Sequence, residues 1–166
     1  MDNISLEYLY NKYKSQIYTL CLRLTMSKDA ADDLFSDTWT RVAEKFYQLD
    51  QNQNGLNWVY TICLNLYRKQ KIKLALFRPF IKEDENSEII SDSTNEEDKF
   101  IAKEEVNQLK SALNKLPDKY RIPVILFYFR DLSYQNISEV MNLPMNTVKF
   151  RLNHAKKLLK IEIEKV

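Results

Sequence analysis

Residues 132–160 read LSYQNISEVMNLPMNTVKFRLNHAKKLLK. Ser133 is a good helix-capping residue, and the apolar residues that follow it recur at helical spacing, which predicts a short amphipathic helix. Residues 142–144 contain Asn and Pro and interrupt this pattern, and Asn146 can cap a second helix. The stretch therefore predicts two helices joined by a tight turn, which is a helix-turn-helix.

The second predicted helix has one apolar face and one basic face. Its apolar residues recur at helical spacing and are predicted to form a buried stripe: Val148, Leu152, Ala155 and Leu159. Residues 146–160 include five Lys or Arg and no Asp or Glu. A helix divided in this way suits the major groove of duplex DNA, which is lined by negatively charged phosphates.

The composition of the 166-residue chain favours an all-α fold. Its one glycine, Gly55, and four prolines are too few for the many tight turns of a β-rich fold. Apolar residues make up 45% of the chain, enough for one domain or two small ones. No apolar run approaches the ~18 residues of a membrane span, and the N-terminal residues lack the pattern of a secretion signal. We therefore expect a cytoplasmic protein without membrane insertion.

Basic and acidic residues are unevenly distributed along the chain. Residues 64–81 contain five basic and no acidic residues, residues 82–103 three basic and eight acidic, and residues 104–166 eleven basic and seven acidic. The acidic segment has too few apolar residues to bury a core. The pattern predicts two small helical domains, residues 1–78 and 104–166, joined by an acidic flexible linker, residues 79–103, with DNA as a partner of both domains.

Hydrophobic periodicity predicts three helices in the first domain. One extends from about Ser5, a second follows the capping residue Ser27, and a third begins near Asn57 after a polar loop at residues 49–57. The third helix ends in a basic run at residues 68–73.

In the second domain, residues 106–116 predict an amphipathic helix that Pro117 ends. The next helix is predicted to begin near residues 120–122, with Pro123 in its first turn. The helix-turn-helix follows and completes the domain.

Several conspicuous residues have simple structural interpretations. Trp39 and Trp58 are expected to anchor a core. Cys21 and Cys63 lie among apolar residues and are expected to be buried free thiols, with a disulfide or a redox switch as the alternative. His154 is the only histidine, and no catalytic triad, metal-ligand set, P-loop or dinucleotide motif accompanies it, so we expect neither an enzyme nor a cofactor.

Four segments, taken together and in order, resemble those of one protein family. They are ADDLFSDTW at 31–39, WVYTICLNL at 58–66, LPDKYR at 116–121, and LSY at 132–134 followed by TVKFRL at 147–152. The chain is identified by them as a member of the extracytoplasmic-function sigma factors, the small two-domain class of bacterial sigma-70 proteins. The resemblance covers nearly the whole chain and implies a protein that binds core RNA polymerase, directs it to promoters and helps to melt the start region.

The resemblance also implies three functional surfaces. One helix would dock on the clamp coiled coil of the largest polymerase subunits, through Asp33, Leu34, Asp37, Thr38 and Arg41. A loop and the helix after it would open the minus-10 element and hold a flipped base in a pocket lined by Asn65, using Leu49, Asn57, Trp58, Tyr60, Thr61, Asn65, Arg68, Lys69, Lys71 and Lys73. The helix-turn-helix would recognise the minus-35 element through Ser133, Tyr134, Asn146, Thr147, Lys149, Phe150, Arg151, Asn153, His154, Lys156 and Lys157.

The sequence departs from the family pattern at some of these positions. Lys69 and Ile72 replace an acidic and a basic residue that are usual there, and His154 stands where Arg is frequent. Asn142 and Asn146 stand where Gly is usual, and Asn tolerates the left-handed conformation better than most residues.

Two further expectations concern the partners. The resemblance implies an anti-sigma factor that holds the free protein inactive by packing between its two domains. The alternative function is a helix-turn-helix transcription regulator that acts without polymerase. It would bind a specific DNA duplex tightly by itself, whereas a sigma factor would need core polymerase to do so.

Overall fold

The computed structural model of the protein describes residues 3–77 and 99–165, and within these ranges it contains helices and no strand. The chain separates into two compact units, residues 1–90 and 91–166. The all-α prediction is therefore confirmed. Most of the predicted linker, residues 79–98, lies outside the described residues, and its last part, residues 99–103, begins a helix.

Within residues 3–77, the first unit contains three α-helices and one 3-10 turn. They are α1 (Leu6–Thr25), α2 (Lys28–Lys45), the turn Phe46–Gln48, and α3 (Gly55–Phe77). The Ser5 hydroxyl accepts the Tyr8 N–H at 3.1 Å and begins α1, while Ser27 caps α2, as predicted.

Helix α3 begins at Gly55, slightly before the predicted start near Asn57. The Asn54 side-chain oxygen accepts the Asn57 N–H at 3.1 Å at this end of the helix. The loop before α3 is correspondingly shorter, and Gly55 is buried where α3 begins. An added Cβ at Gly55 would lie 2.9 Å from Leu9 Cδ2, so the glycine permits close approach to α1.

The core of the first unit is formed where the three helices meet. The Cys21 and Cys63 sulfurs lie 3.7 Å apart on α1 and α3, and both are buried free thiols, as predicted. The neighbouring thiol and burial raise the pKa of Cys21, which keeps it protonated. Trp39 is buried as expected, whereas Trp58 is only half-buried.

The second unit contains four α-helices in the described residues. They are α4 (Lys99–Lys115), α5 (Asp118–Val124), α6 (Tyr134–Met141) and α7 (Met145–Glu164), with a π-helical segment, Ile125–Phe129, after α5. The predicted position of Pro123 in a first turn is wrong, since α5 already begins at Asp118 and Pro123 lies inside it. Proline cannot donate a backbone hydrogen bond there, and the following residues adopt the wider π-helical turn.

A buried ion pair lies within α5. Arg121 is 1% exposed, and its Nε and Nη2 donate to Asp118 Oδ1 at 3.1 and 3.0 Å. Asp118 remains partly exposed. Because an uncompensated buried guanidinium is unfavourable, the carboxylate stabilises the short helix against which α7 packs.

We expect Asp118→Ala to lower the free energy of unfolding of the second unit by about 2–3 kcal/mol. This is less than the cost of breaking a fully buried pair, because Asp118 is partly exposed. Urea denaturation followed by far-UV circular dichroism measures this change. Both tryptophans belong to the first unit, so tryptophan fluorescence shows whether that unit is unaffected.

Glu162→Ala provides the matched control. It removes a carboxylate that pairs with Lys115 and Lys165, both well exposed, and should lower the free energy of unfolding less than Asp118→Ala does. An equal decrease in the free energy of unfolding in the two variants would show that the buried pair stabilises the unit no more than the exposed pairs do.

Candidate nucleic-acid interface

Helices α6 and α7 form the predicted helix-turn-helix. The Ser133 hydroxyl accepts the Asn136 N–H at 3.1 Å and caps α6, as predicted. Asn142 ends α6 with φ 52°, in the left-handed region that Asn tolerates. The Ser138 hydroxyl donates to the Leu143 carbonyl and holds the turn closed.

The predicted capping role of Asn146 is wrong. Helix α7 begins at Met145, and the position before it is occupied by Pro144, which makes no side-chain capping hydrogen bond. Asn146 therefore lies in the first turn of α7, where its side chain is exposed. Because α7 begins before Asn146, this residue lies on the solvent side of the helix.

The apolar faces of the two helices pack against each other and the rest of the unit. Val148, Leu152 and Ala155 are at most 2% exposed, which confirms the predicted stripe. Leu159 is only half-buried, so the stripe weakens towards the end of α7.

The opposite face of α7 brings the predicted minus-35 residues together. Those that are exposed are Asn146, Lys149, Phe150, Asn153, Lys156 and Lys157. Thr147, Arg151 and His154 are half-buried at the edges of this face. On α6, Ser133 is exposed and Tyr134 is half-buried, with its ring stacked on Phe127 at 5.1 Å. We call the exposed set on α7, with its half-buried edges, the α7 basic face.

A series of three adjacent rings leads from α5 to the α7 basic face. The Tyr120 and His154 ring centroids are 4.8 Å apart, and the His154 and Phe150 rings are nearly parallel, at 9° and 5.8 Å. Sequence reasoning missed Tyr120, which comes from α5. Its proximity to α7 arises from tertiary packing and has no local sequence signal.

Lys156 is held at the side of the α7 basic face. Its ammonium lies 5.9 Å from the centre of the Tyr128 ring. Interaction with the Tyr128 hydroxyl raises the pKa of Lys156, so this cation stays charged well above neutral pH.

The predicted minus-10 residues divide into exposed and buried groups. Asn65, Lys69, Lys71 and Lys73 are exposed along α3, and Trp58, Thr61 and Arg68 are half-buried. Leu49, Asn57 and Tyr60 are 7%, 8% and 1% exposed, so they are buried in this structure, and their role as DNA contacts stays a prediction. Leu49 and Tyr60 contribute to the core. Asn57 lies in the first turn of α3, where its carbonyl accepts the Thr61 hydroxyl at 2.9 Å.

The predicted polymerase-binding residues on α2 divide in the same way. Asp33 and Asp37 are exposed and Arg41 is half-buried, within 3.6 Å of Glu44. Leu34 and Thr38 are fully buried in this structure, and their role as polymerase contacts stays a prediction. The Thr38 hydroxyl donates to the Leu34 carbonyl at 2.7 Å and is satisfied within the helix.

Family comparison agrees with the two units. The model for "Sigma-70 region 2" matches residues 9–72, and the model for "Sigma-70, region 4" matches residues 107–159. The ECF RNA polymerase sigma factor SigW of Bacillus subtilis (strain 168) is 30% identical over 158 residues, which cover 91% of this chain and 84% of that protein. This chain belongs to the extracytoplasmic-function sigma factors of the sigma-70 family. It acts in transcription initiation as an RNA polymerase sigma factor.

Other relatives agree with this assignment. The ECF RNA polymerase sigma factor SigM of the same organism is 24% identical over 161 residues, covering 95% of this sigma factor and 94% of SigM. Among solved structures, RpoE in complex with the anti-sigma factor NepR from Bartonella quintana has a TM-score of 0.75 at 21% identity, covering 95% of this chain and 94% of RpoE. CnrH in complex with the cytosolic domain of CnrY has a TM-score of 0.69 at 18% identity, covering 96% of this chain and 88% of CnrH. These likenesses show a shared fold.

Two features are absent from the residues that the structure describes, a membrane-spanning helix and a cluster of metal-binding side chains. Within residues 3–77 and 99–165, every helix falls short of the length and apolarity that crossing a membrane demands. The same part of this sigma factor contains no group of three or more His, Cys, Asp or Glu residues that could hold a metal ion.

The cap of α6 can be tested directly. We expect Ser133→Ala to destabilise the second unit by about 1 kcal/mol, because the Asn136 N–H loses its acceptor. Ser133→Asp keeps an acceptor and should retain the stability of the unsubstituted protein. The measurement is urea denaturation followed by circular dichroism, and equal destabilisation by both substitutions would contradict the capping role.

Proposed function

We propose that this sigma factor recognises the minus-35 element with the α7 basic face, recognises and melts the minus-10 element with α3 and the loop before it, and binds core polymerase with the exposed side of α2. The observation that supports this proposal most is the division of α7. Its apolar stripe is buried, and its cations and amides lie together in solvent.

The minus-35 assignment rests on the chemistry of the α7 basic face. In a helix-turn-helix, residues near the start of the second helix contact base edges in the major groove. Lys149 and Asn153 are in this part of α7, and both can hydrogen-bond to purine edges. The cations further along the helix would contact phosphates, which adds affinity without sequence information.

The minus-10 assignment rests on the exposed side of α3. Asn65, Lys69 and Lys73 are spaced four residues apart and all are exposed, so they lie along one face of the helix. An amide can hydrogen-bond to the edge of an unpaired base, and lysines can hold the strand's phosphates. Capture of a flipped base in this way would offset the few kcal/mol that unpairing costs.

The polymerase assignment rests on the exposed carboxylates of α2. Leu34 and Thr38 are buried, so the accessible part of this predicted surface consists of Asp33, Asp37 and Arg41. The Asp37 carboxylate accepts a hydrogen bond from Gln70 on α3 at 3.1 Å, which fixes its position. We propose that this surface contacts the clamp coiled coil of core polymerase.

An anti-sigma factor is the further partner that we propose. RpoE, whose fold this sigma factor shares, was solved in complex with an anti-sigma factor. A cytoplasmic location, where polymerase and promoter DNA occur, is part of the same proposal. The family consists of initiation factors without enzymatic activity.

Polymerase binding is tested by reversing the charge of the α2 surface. We expect Asp33→Arg with Asp37→Arg to abolish co-purification with core polymerase and run-off transcription, because two attractive charges become repulsive. A double variant with the same change of net charge, Glu7→Arg with Glu105→Arg, alters exposed acids elsewhere and should remain active. Circular dichroism controls for folding, and normal polymerase binding by the α2 variant would overturn the assignment.

Minus-35 recognition is tested at Lys149. We expect Lys149→Ala to weaken holoenzyme binding to its promoter by about 1–3 kcal/mol if the ammonium contacts a base, and to relax selectivity at one position. The control Lys165→Ala removes an equal charge beyond the end of α7. Binding is measured with core polymerase on promoters selected from a random library. Selectivity identical to that of the unsubstituted protein would exclude a base contact by Lys149.

A further inference from the structure

Phe150 is the one phenylalanine of α7, and it projects from an otherwise polar face. Its side chain is 63% exposed, and the exposed residues beside it, Lys149 and Asn153, are polar. A single exposed apolar residue is common on protein surfaces and proves nothing alone. The position of this ring within the α7 basic face gives it a specific chemical environment.

The Phe150 ring is held in place by a stack that begins on another helix. Tyr120 on α5 contacts His154 at 4.8 Å between ring centroids, and His154 stacks on Phe150 with an angle of 9° between the rings. Lys119 lies over the Tyr120 ring at 4.9 Å. The stack connects the packed part of the unit to the exposed ring, so it limits the rotation of Phe150.

A phenyl ring can recognise only one of the four bases in the major groove. It has no hydrogen-bond donor or acceptor, whereas all four bases present polar groups there. Thymine alone adds a C5-methyl group, which gains free energy when an apolar side chain covers it. A ring fixed before binding gains this energy with little loss of conformational entropy.

We propose that Phe150 is a specificity-determining residue that selects thymine in the minus-35 element through its C5-methyl group, and that His154 and Tyr120 are positioning residues for its ring. This inference rests on the proposed minus-35 role of α7. It adds the chemical group that is recognised and the residues that orient the recognising ring.

The experiment removes single methyl groups from the DNA. The wild-type holoenzyme first selects an upstream element from a randomised promoter library. Each thymine of that element, on either strand, is then replaced by deoxyuridine, which lacks only the C5-methyl group. Binding is measured at low salt, so that weakened variants remain measurable. We expect one replacement to lower affinity about fourfold, which corresponds to the burial of one methyl group.

Substitutions connect this methyl effect to the proposed residues. Phe150→Ser should bind thymine and uracil equally at the sensitive position, and Phe150→Leu, which remains apolar, should retain part of the discrimination. His154→Ala should reduce it, because the ring loses its stacking partner. Ile161→Ala removes another exposed apolar side chain from α7 and should leave the discrimination between thymine and uracil unchanged.

The outcomes separate this inference from the proposed function. If the wild-type holoenzyme binds thymine and uracil equally at every position, or if Phe150→Ser keeps the methyl effect, the inference is wrong while the minus-35 role of α7 stands. If the holoenzyme selects no upstream element, both the inference about Phe150 and the minus-35 role of α7 are wrong.

Discussion

Burial of one stripe of α7 is the constraint on which the second unit depends. Val148, Leu152 and Ala155 are covered by the packing of α7 against neighbouring helices, chiefly α5, α4 and α6. A helix at the surface of a small unit buries one face, so its remaining residues lie in solvent. The basic face of α7 is therefore positioned by apolar packing. Charge interactions between its residues are not needed to place it, and its lysines stay available to a polyanionic partner.

The first unit follows the same rule. Leu34 and Thr38 are buried beneath Asp33 and Asp37, and Tyr60 and Leu49 are buried behind the exposed side of α3. These buried residues hold the helices that present the proposed contacts. A sequence motif in this sigma factor thus contains two kinds of residue, those that build the surface from inside and those that lie on it. Only burial distinguishes them.

Affinity and selectivity have different sources in the proposed DNA interface. Contacts between lysines and phosphates strengthen binding to any sequence, and salt weakens them. Base contacts supply selectivity, at about 1–3 kcal/mol for each good pair. Because most exposed cations of α7 are suited to phosphates, promoter choice would depend on few side chains. Lys149, Asn153 and the stacked Phe150 ring are those with suitable chemistry and position.

Periodicity and capping residues indicated the helices, the caps at Ser27 and Ser133 and the buried stripe of α7, because these signals are local in the sequence. The sigma-70 family was indicated by the resemblance of four short segments. Packing decided what those signals could not. It buried Leu49 and Tyr60 and brought Tyr120 against His154. The contact of Tyr120 with His154 joins residues distant in the chain, and the exposure of a side chain is a property of the assembled helices.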